Sequence, residues 1–365
     1  MKIRGRKSSF IAIAWVLLLS VFLGACGQGA TGGTGDQSGG EAENGLQGKR
    51  IALIMQLNIG TFSAQYIDGV RDQVEKFGGE LQVFNAEEDL ARMASHLDSA
   101  ITQQFDGILI DHGTPEALDP GIRKALEANI PVVVFDAAID IEGVTLVEQG
   151  DLLLAEQTLE KLVEDNGTDA NIVKIWVAGF APMERRQVAY EEFQEKYPDV
   201  TELAAFGSAT SNTALDTQSQ MEAILRQYPN KGDITAVWAA WDEFAKGASR
   251  AIQQAGRDEI KVYGIDLSDE DLQMIQDPNN PWVASAAVDP SDIGRIQARL
   301  LYKKLNGDSD TPDRHILKPV MVTRDDLPEE PVTMSNLQEH VEEWGQSDDV
   351  YEDWMKELEE QVKGE

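Results

Sequence analysis

Aromatic, acidic and basic side chains recur directly after short apolar runs of this sequence. They stand at 60–62, at Asp111 and His112, at Asp136, in 180–186, at Trp241 and Asp242, at Asp266, and at 288–289. An aromatic face can pack on the C–H groups of a small molecule, and charged groups make stronger hydrogen bonds than neutral ones. These positions are therefore candidate ligand contacts.

Motifs for catalysis, metal binding and nucleotide binding are weak. Ser249 lies in a Gly-Ala-Ser-Arg-Ala segment that loosely resembles a nucleophile elbow, but Ala251 replaces the last glycine and the segment has a helical pattern. No P-loop occurs, and the spaced glycines at 27, 29 and 32 have no strand before them and no helix after them. The four histidines lack zinc-ligand spacing: His96, His112, His315 and His340. We predict a protein that is not an enzyme and uses no metal or cofactor.

Residues 1–25 have the pattern of an export signal. Four basic residues precede an apolar run at 10–23, which is too short for a comfortable membrane span and ends in Leu-Gly-Ala-Cys at 23–26. This ending resembles the lipobox of bacterial lipoproteins, in which the cysteine is lipidated after the signal is removed. We expect a lipid on Cys26, which is the only cysteine, so that no internal disulfide forms. The alternative is an ordinary signal peptide or membrane anchor with an incidental cysteine.

Two segments differ in composition from the body of the chain. Residues 26–48 are rich in glycine and poor in apolar side chains, which predicts a flexible tether. Residues 329–365 form an acidic extension with a helical pattern that either packs on the body of the protein or contacts a partner. Its apolar residues are Leu337, Val341, Trp344, Trp354, Leu358 and Val362.

The chain of 365 residues is strongly acidic, with a formal charge of −33 at pH 7. Removal of residues 1–25, which carry four basic and no acidic side chains, leaves −37. A surface of this charge repels phosphate backbones, so nucleic acid is excluded as a partner. The acidity is typical of a solvated surface in salty or alkaline surroundings.

The candidate contacts must be positioned by a repeating strand–helix pattern. Apolar runs at 51–55, 81–84, 107–110 and 131–135 alternate with helix-period segments, and the alternation restarts after Asp151. Further strands are predicted at 172–177, 201–206, 234–239, 260–265 and 282–288, with a last one at 316–323. Such runs predict an α/β protein with two parallel-sheet lobes, and ligands of such sheets bind beyond the carboxyl ends of the strands.

From Arg50 to about Arg324 the chain resembles the ribose-binding-protein type of periplasmic binding protein. None of the matching stretches is diagnostic by itself, but the order and spacing of the stretches along the chain are. The matching stretches are IALIMQLNIGTFSAQYIDGV at 51–70, FDGILID at 105–111, IPVVVFDA at 130–137, MERRQVAYEEF at 183–193, ITAVWAAWDEFAKGASRAIQQAG at 234–256, VYGIDLS at 262–268 and VASAAVDPSDIG at 283–294.

The resemblance implies two Rossmann-like lobes, joined by a three-segment hinge, that close on a ligand in the cleft between them. The crossings would lie near Gly150, Asp289 and Lys318. The N-terminal lobe would then comprise 49–150 plus 289–317, and the C-terminal lobe 151–288 plus 318–328.

The family's ligand contacts can be carried over one residue at a time. Phe62 falls where an aromatic ring of the family stacks on a sugar. Asp136 falls where a carboxylate accepts hydrogen bonds from sugar hydroxyls. Arg186 and Asp266 fall on charged ligand-contact positions of the second lobe. The alternatives are core packing for Phe62 and helix capping for the two aspartates. For Arg186 the alternative is a surface position, with Arg185 as the true match.

Three positions depart from the ribose-type pattern. Ala137 replaces an arginine, Trp241 an asparagine and Val288 a glutamine. We therefore expect a ligand with more apolar surface or fewer hydroxyls than an aldopentose. An amine-bearing molecule is a second candidate, because only Arg186 is expected to oppose the two aspartates, and Trp241 could stack on a cation. The ligand-binding prediction comprises Phe62, Asp136, Arg186, Trp241 and Asp266, with Thr61, His112, Ala137, Asp242 and Val288 as further candidates.

The resemblance also implies a cellular location and partner proteins. We expect a monomer on the outer face of the cytoplasmic membrane that binds a sugar or sugar-like molecule and delivers it to an ABC permease and ATPase. Delivery to a membrane sensor kinase or chemoreceptor is the alternative. A transcription regulator of the same fold is excluded, because the chain lacks an N-terminal helix-turn-helix and a basic face.

Overall fold

The computed structural model describes residues 45–345 and 348–364. Within these residues, twelve strands form two six-stranded sheets. The strands are β1 Arg50–Met55, β2 Glu80–Asn85, β3 Gly107–Asp111, β4 Val132–Phe135, β5 Thr145–Glu148, β6 Asn171–Ile175, β7 Thr201–Phe206, β8 Ala236–Ala239, β9 Lys261–Ile265, β10 Trp282–Ala287, β11 Arg314–Ile316 and β12 Val320–Thr323.

Helices connect these strands and cover both faces of each sheet. They are α1 Gly60–Lys76, α2 Leu90–Thr102, α3 Pro115–Glu127, α4 Asp151–Asn166, α5 Ala181–Lys196, α6 Thr213–Gln227, α7 Asp242–Gln254, α8 Asp269–Gln276, α9 Pro290–Asn306 and α10 Asp353–Gly364. The inner strands β3, β4 and β8 are buried along their whole length and are near-continuous apolar runs, whereas the edge strands β2, β7 and β11 are more polar and partly exposed.

The two sheets have matching topologies. The first has the order β11-β5-β4-β3-β1-β2 and is parallel throughout. The second has the order β12-β10-β9-β8-β6-β7, and only its edge strand β12 is antiparallel to its neighbour. The predicted α/β fold with two parallel-sheet lobes is confirmed.

The chain passes between the sheets three times. It leaves the first sheet after β5, returns to pack α9 on α1 after β10, and leaves again between β11 and β12. We call the first sheet with α1–α3 and α9 the first lobe, and the second sheet with α4–α8 the second lobe. The strand predicted at 316–323 is in fact two strands in different sheets. Its middle contains Pro319, which has no N–H to donate to a ladder.

Residues 329–364 pack against both lobes. Leu337, Val341 and Trp344 are buried in the core of the second lobe, whereas Met355 and Leu358 are buried in the core of the first. Among the described residues of this extension, the α-helix is confined to Asp353–Gly364 near its end, so the predicted helical pattern over the whole extension is wrong for its first part. The prolines at 328 and 331 precede a stretch whose only helix is the 3-10 turn at Leu337–Glu339.

Several predictions concern residues that the structure does not describe. The export signal at 1–25, the lipid site Cys26 and most of the tether at 26–48 lie outside the described residues. Among the residues that are described, none of the helices combines the length and apolar character needed to span a membrane.

Candidate ligand-binding cleft

A cavity lies between the carboxyl ends of the two sheets and is lined from both lobes. The empty space there amounts to about 650 Å³, a figure that includes open solvent at its mouth. The polar lining residues are Ser63, Asp111, His112, Gln149, Arg186 and Asp266. The apolar and aromatic ones include Met55, Leu57, Ile59, Phe62, Tyr66, Phe135, Val177, Phe180, Met183, Ala209 and Trp241.

Strand register explains why these residues meet. Met55 pairs with Asp111, and Asp111 with Phe135, so the ends of β1, β3 and β4 lie side by side in the first lobe. In the second lobe, the ends of β6, β8 and β9 are aligned in the same way. The residues at and just after these strand ends therefore lie at the edge of each sheet that faces the opposite lobe.

Three strand-end residues have positive φ: His112 at 61°, Asp136 at 51° and Asp266 at 73°. Aspartate and histidine are among the non-glycine residue types that adopt this region most readily. Such backbone strain is concentrated at functional sites, where the surroundings hold it in place.

Arg186 is the most tightly held charge on the cavity wall. It is 1 % exposed, and its guanidinium donates to Asp266 at 3.1 and 3.2 Å, to Asp151 at 2.8 Å and to the Ala240 carbonyl at 2.7 Å. Burial by itself lowers the pKa of Arg186, but Asp266 and Asp151 raise it well above its ordinary value. The arginine therefore stays charged and oriented. Arg186 is buried, in contrast to the surface position that was its alternative.

Asp266 shares the cavity wall with Arg186. Burial raises the pKa of its carboxyl to about 6, although Arg186 opposes this shift. The paired carboxylate retains lone pairs that can accept ligand hydroxyls, since an ionised carboxylate has about four acceptor sites.

Asp136 lies behind the wall and not on it. Its carboxylate is buried and accepts from Arg185 at 2.7 Å and from Gln149 at 3.1 Å. Burial, together with Asp151, raises its pKa to about 7, against the opposing charge of Arg185. Arg185 also contacts Glu148 and Asp151, so Arg186 is not the only cation that opposes the aspartates. The electrostatic case for an amine-bearing ligand is weaker as a result.

His112 joins the two lobes through aromatic contacts. Its ring lies edge-on to Phe135 of the first lobe and to Phe180 of the second, each at a centroid distance of 6.0 Å. Nδ1 lies 2.6 Å from Asp111, which leaves Nε2 for a ligand. Burial lowers the pKa of His112, but Asp111 outweighs that effect and the net shift is upward.

The remaining candidates divide between the wall and its surroundings. Phe62 and Trp241 line the cavity from opposite lobes. Thr61 instead contacts Glu270 across the lobes at 3.4 Å, and Asp242 is buried against Lys246 at 2.9 Å. Ala137 and Val288 are buried in the hydrophobic cores of the first lobe.

Sequence reasoning missed several lining residues. Gln149 follows β5, a strand of four residues that was not predicted. The candidate contacts are residues that come directly after predicted strands, so Gln149 was not among them. Leu57, Ile59 and Ala209 also follow strands, but as ordinary apolar residues they carried no chemical signal.

One group of carboxylates elsewhere is close enough to hold a metal ion. Asp308, Asp310 and Glu352 approach one another within 4.8 Å, but the ammonium of Lys303 already contacts all three. The group is therefore explained as a lysine-centred ion cluster.

Comparison with known proteins agrees with this geometry. Residues 51–309 match the family described as periplasmic binding protein domain. The D-apiose import binding protein of Actinobacillus succinogenes is 26 % identical over 62 % of this chain and 72 % of its own length. A sugar ABC transporter structure from Yersinia enterocolitica is 37 % identical, with a TM-score of 0.83 over 87 % of this chain and 96 % of its own. A 5-methylthioribose transporter solute-binding protein from Thermotoga lettingae, in complex with 5-methylthioribose, is also 37 % identical, with a TM-score of 0.81 over 86 % and 97 %.

Proposed function

This chain belongs to the periplasmic binding protein domain family, and on that premise we propose that it is the sugar-binding component of an ABC uptake system. Proteins of this family are non-enzymatic, extracytoplasmic parts of solute transport, which confirms that the chain is not an enzyme. The observation that carries the proposal is the cavity lined by side chains of both lobes.

The mechanism is capture by closure. In the present arrangement the lobes touch beside the cavity, where Thr61 contacts Glu270 and Gln65 accepts from the Asp269 N–H at 3.3 Å. A ligand that contacts both walls stabilises this closed form over an open one. The closed form then docks on the permease, which reads the relative position of the lobes.

The ligand that fits best is a pentose with an apolar substituent. Arg186, Asp266 and His112 offer groups for sugar hydroxyls, while Leu57, Ile59, Phe180 and Trp241 provide apolar surface for a substituent that is not a hydroxyl. The likeness to the Thermotoga lettingae protein supports a 5-alkylthio pentose.

We further propose that Cys26 carries the lipid that anchors the protein on the outer face of the cytoplasmic membrane. The tether at 26–48 would then keep the monomeric binding unit at high effective concentration near the permease. Replacement of Cys26 by serine should release the protein from membranes into the soluble fraction, without a change in ligand affinity.

A thermal-shift screen tests the ligand class. The compact unit at 44–365 would be screened against 5-methylthioribose, pentoses, hexoses, polyols and small amines. A ligand at a hundred times its dissociation constant adds about 2.7 kcal/mol to the unfolding free energy, which gives a clear shift in Tm. A shift with 5-methylthioribose or another sugar is the expected result. Shifts with amines alone would contradict the proposal.

A further inference from the structure

We infer that Gln149 is a specificity-determining residue whose amide oxygen accepts a hydrogen bond from a ligand hydroxyl. The inference rests on the proposed sugar binding and assigns one of its contacts. Gln149 lies at the end of β5, directly before the chain crosses from the first lobe to the second at Gly150.

The side chain of Gln149 is buried and has an unused acceptor. It is 4 % exposed, and it is one of the polar residues that line the cavity. Within the described part of the chain, its Oε1 has no hydrogen-bond partner. A buried carbonyl oxygen without a partner is costly, so a native site with such an atom requires an explanation.

The chemistry of Asp136 decides which end of the amide is available. The Gln149 Nε2 donates to the Asp136 carboxylate at 3.1 Å, and that carboxylate also accepts from Arg185. Above about pH 7, where Asp136 is ionised, its carboxylate can only accept hydrogen bonds, so the amide cannot be reversed without placing two oxygens against each other. Arg185 and Asp136 thus hold the Gln149 amide with its NH₂ engaged and its oxygen unpaired.

The unpaired oxygen selects for a donor on the ligand. An amide oxygen accepts from a hydroxyl, but it gains nothing from a C–H group, an ether or a carbonyl. A site built to bond a hydroxyl discriminates strongly against analogues that lack it, because its own polar group is then left unpaired. Gln149 therefore distinguishes a sugar from the corresponding deoxy sugar at one hydroxyl position.

Titration calorimetry with deoxy analogues tests this assignment. The probes are 5-methylthioribose and its 2-deoxy and 3-deoxy derivatives, and the variant is Gln149→Met, which retains shape and removes the acceptor. The variant should bind the parent sugar about ten- to a hundredfold more weakly than the wild type does. For one of the two deoxy derivatives, the affinity of the variant should equal that of the wild type, because that derivative lacks the hydroxyl that would donate to the Gln149 oxygen.

Two further variants control for the fold. Gln157→Met removes another amide whose Oε1 has no partner, in α4 and away from the cavity lining, and it should leave all affinities unchanged. Gln149→Leu also removes the acceptor, with a side chain of a different shape, and it should lose the preference for the hydroxylated sugar at the same position as Gln149→Met does. It keeps the test decisive if the methionine variant does not fold.

The outcomes separate this inference from the proposed function. If the wild type binds 5-methylthioribose and Gln149→Met keeps the full preference for hydroxylated over deoxy sugar, the assignment of Gln149 is overturned while sugar binding stands. Failure of the wild type to bind any of the probes would overturn the ligand class, and the inference with it.

Discussion

At the scale of single residues, the cavity is built from charges that hold one another in place. Arg186 joins Asp266 to Asp151, and Arg185 joins Asp136 to Asp151 and Glu148. Each carboxylate is buried and paired, so the side chains are oriented before a ligand arrives. When a ligand binds, its hydroxyls lose hydrogen bonds to water and form hydrogen bonds to these fixed donors and acceptors.

The pKa of Asp266 makes ligand affinity depend on pH. Its raised value of about 6 means that the ligand-free carboxyl becomes protonated below pH 6. Because hydroxyls donate to the ionised form, binding favours that form, and affinity should fall by up to tenfold per pH unit as the pH drops below 6. Titration calorimetry of 5-methylthioribose between pH 5 and 8 measures this.

The variant Asp266→Asn should lack the component of the pH profile near 6 and should bind about ten- to a hundredfold more weakly at pH 8. Asp258→Asn, at an exposed position, is the control and should behave as the wild type does. An Asp266→Asn profile that still falls through pH 6 would show that another group titrates there.

The wall residues differ in how far the sequence could predict them. Phe62, His112, Trp241 and Asp266 follow strands or begin helices, and the convergence of parallel strand ends accounts for their places on the cavity wall. Arg186 lies in the second turn of α5, and the family resemblance indicated it. The position of Asp136 behind the wall could not be predicted. It depends on Arg185 and Gln149, whose side chains meet Asp136 only in the folded chain.

At the scale of elements, helix α1 carries Phe62 and Tyr66 into the cavity and depends on α9 for its position. The two helices approach closely at Gly69 and Gly294. A Cβ atom on Gly294 would lie 2.3 Å from the Tyr66 carbonyl oxygen, and one on Gly69 would lie 2.1 Å from the Ser291 carbonyl oxygen. Both are backbone atoms that cannot turn aside.

The variant Gly294→Ala should therefore destabilise the protein despite the better helix propensity of alanine. We expect a loss of about 1–3 kcal/mol in the free energy of unfolding, measured by urea denaturation. Gly364→Ala is the matched control, since it is also helical but has open space around its Cβ position, and it should be neutral. Equal stability of the two variants would contradict the proposed packing constraint.

Long elements were predictable and short connecting strands were not. The strands β1, β3, β4 and β6 are apolar runs between helix-period segments, which is a strong local signal. The strands β5, β11 and β12 have three or four residues each, and β11 and β12 pair with strands far earlier in the chain, β5 and β10. Local sequence does not determine such pairings, and the prediction of one strand at 316–323 was wrong for that reason.

At the scale of the whole molecule, the extension after residue 329 belongs to the folded body. Its first part covers the core of the second lobe, where Gln276 donates to the carbonyls of Pro328 and Glu330. Its last helix covers the core of the first lobe, where Gln73 donates to Glu359 at 2.9 Å. The apolar residues of the extension are thus used within the chain.

Trp344 shows how much this packing contributes. Its side chain is 5 % exposed within the core of the second lobe. The variant Trp344→Ala should lower the free energy of unfolding by about 3–5 kcal/mol in urea denaturation. Glu339→Ala, at an exposed position of the same segment, serves as the control. A loss below about 1 kcal/mol would mean that the extension is only loosely attached.

Binding of a sugar with an apolar substituent in the cleft can be measured by calorimetric titration of the wild type with 5-methylthioribose and with D-ribose. Burial of a methylthio group on the apolar wall is worth at least about 1.4 kcal/mol, by comparison with about 0.8 kcal/mol for one methylene. We expect one-to-one binding of 5-methylthioribose, at least about tenfold tighter than that of D-ribose. Equal or weaker binding of 5-methylthioribose would contradict this expectation.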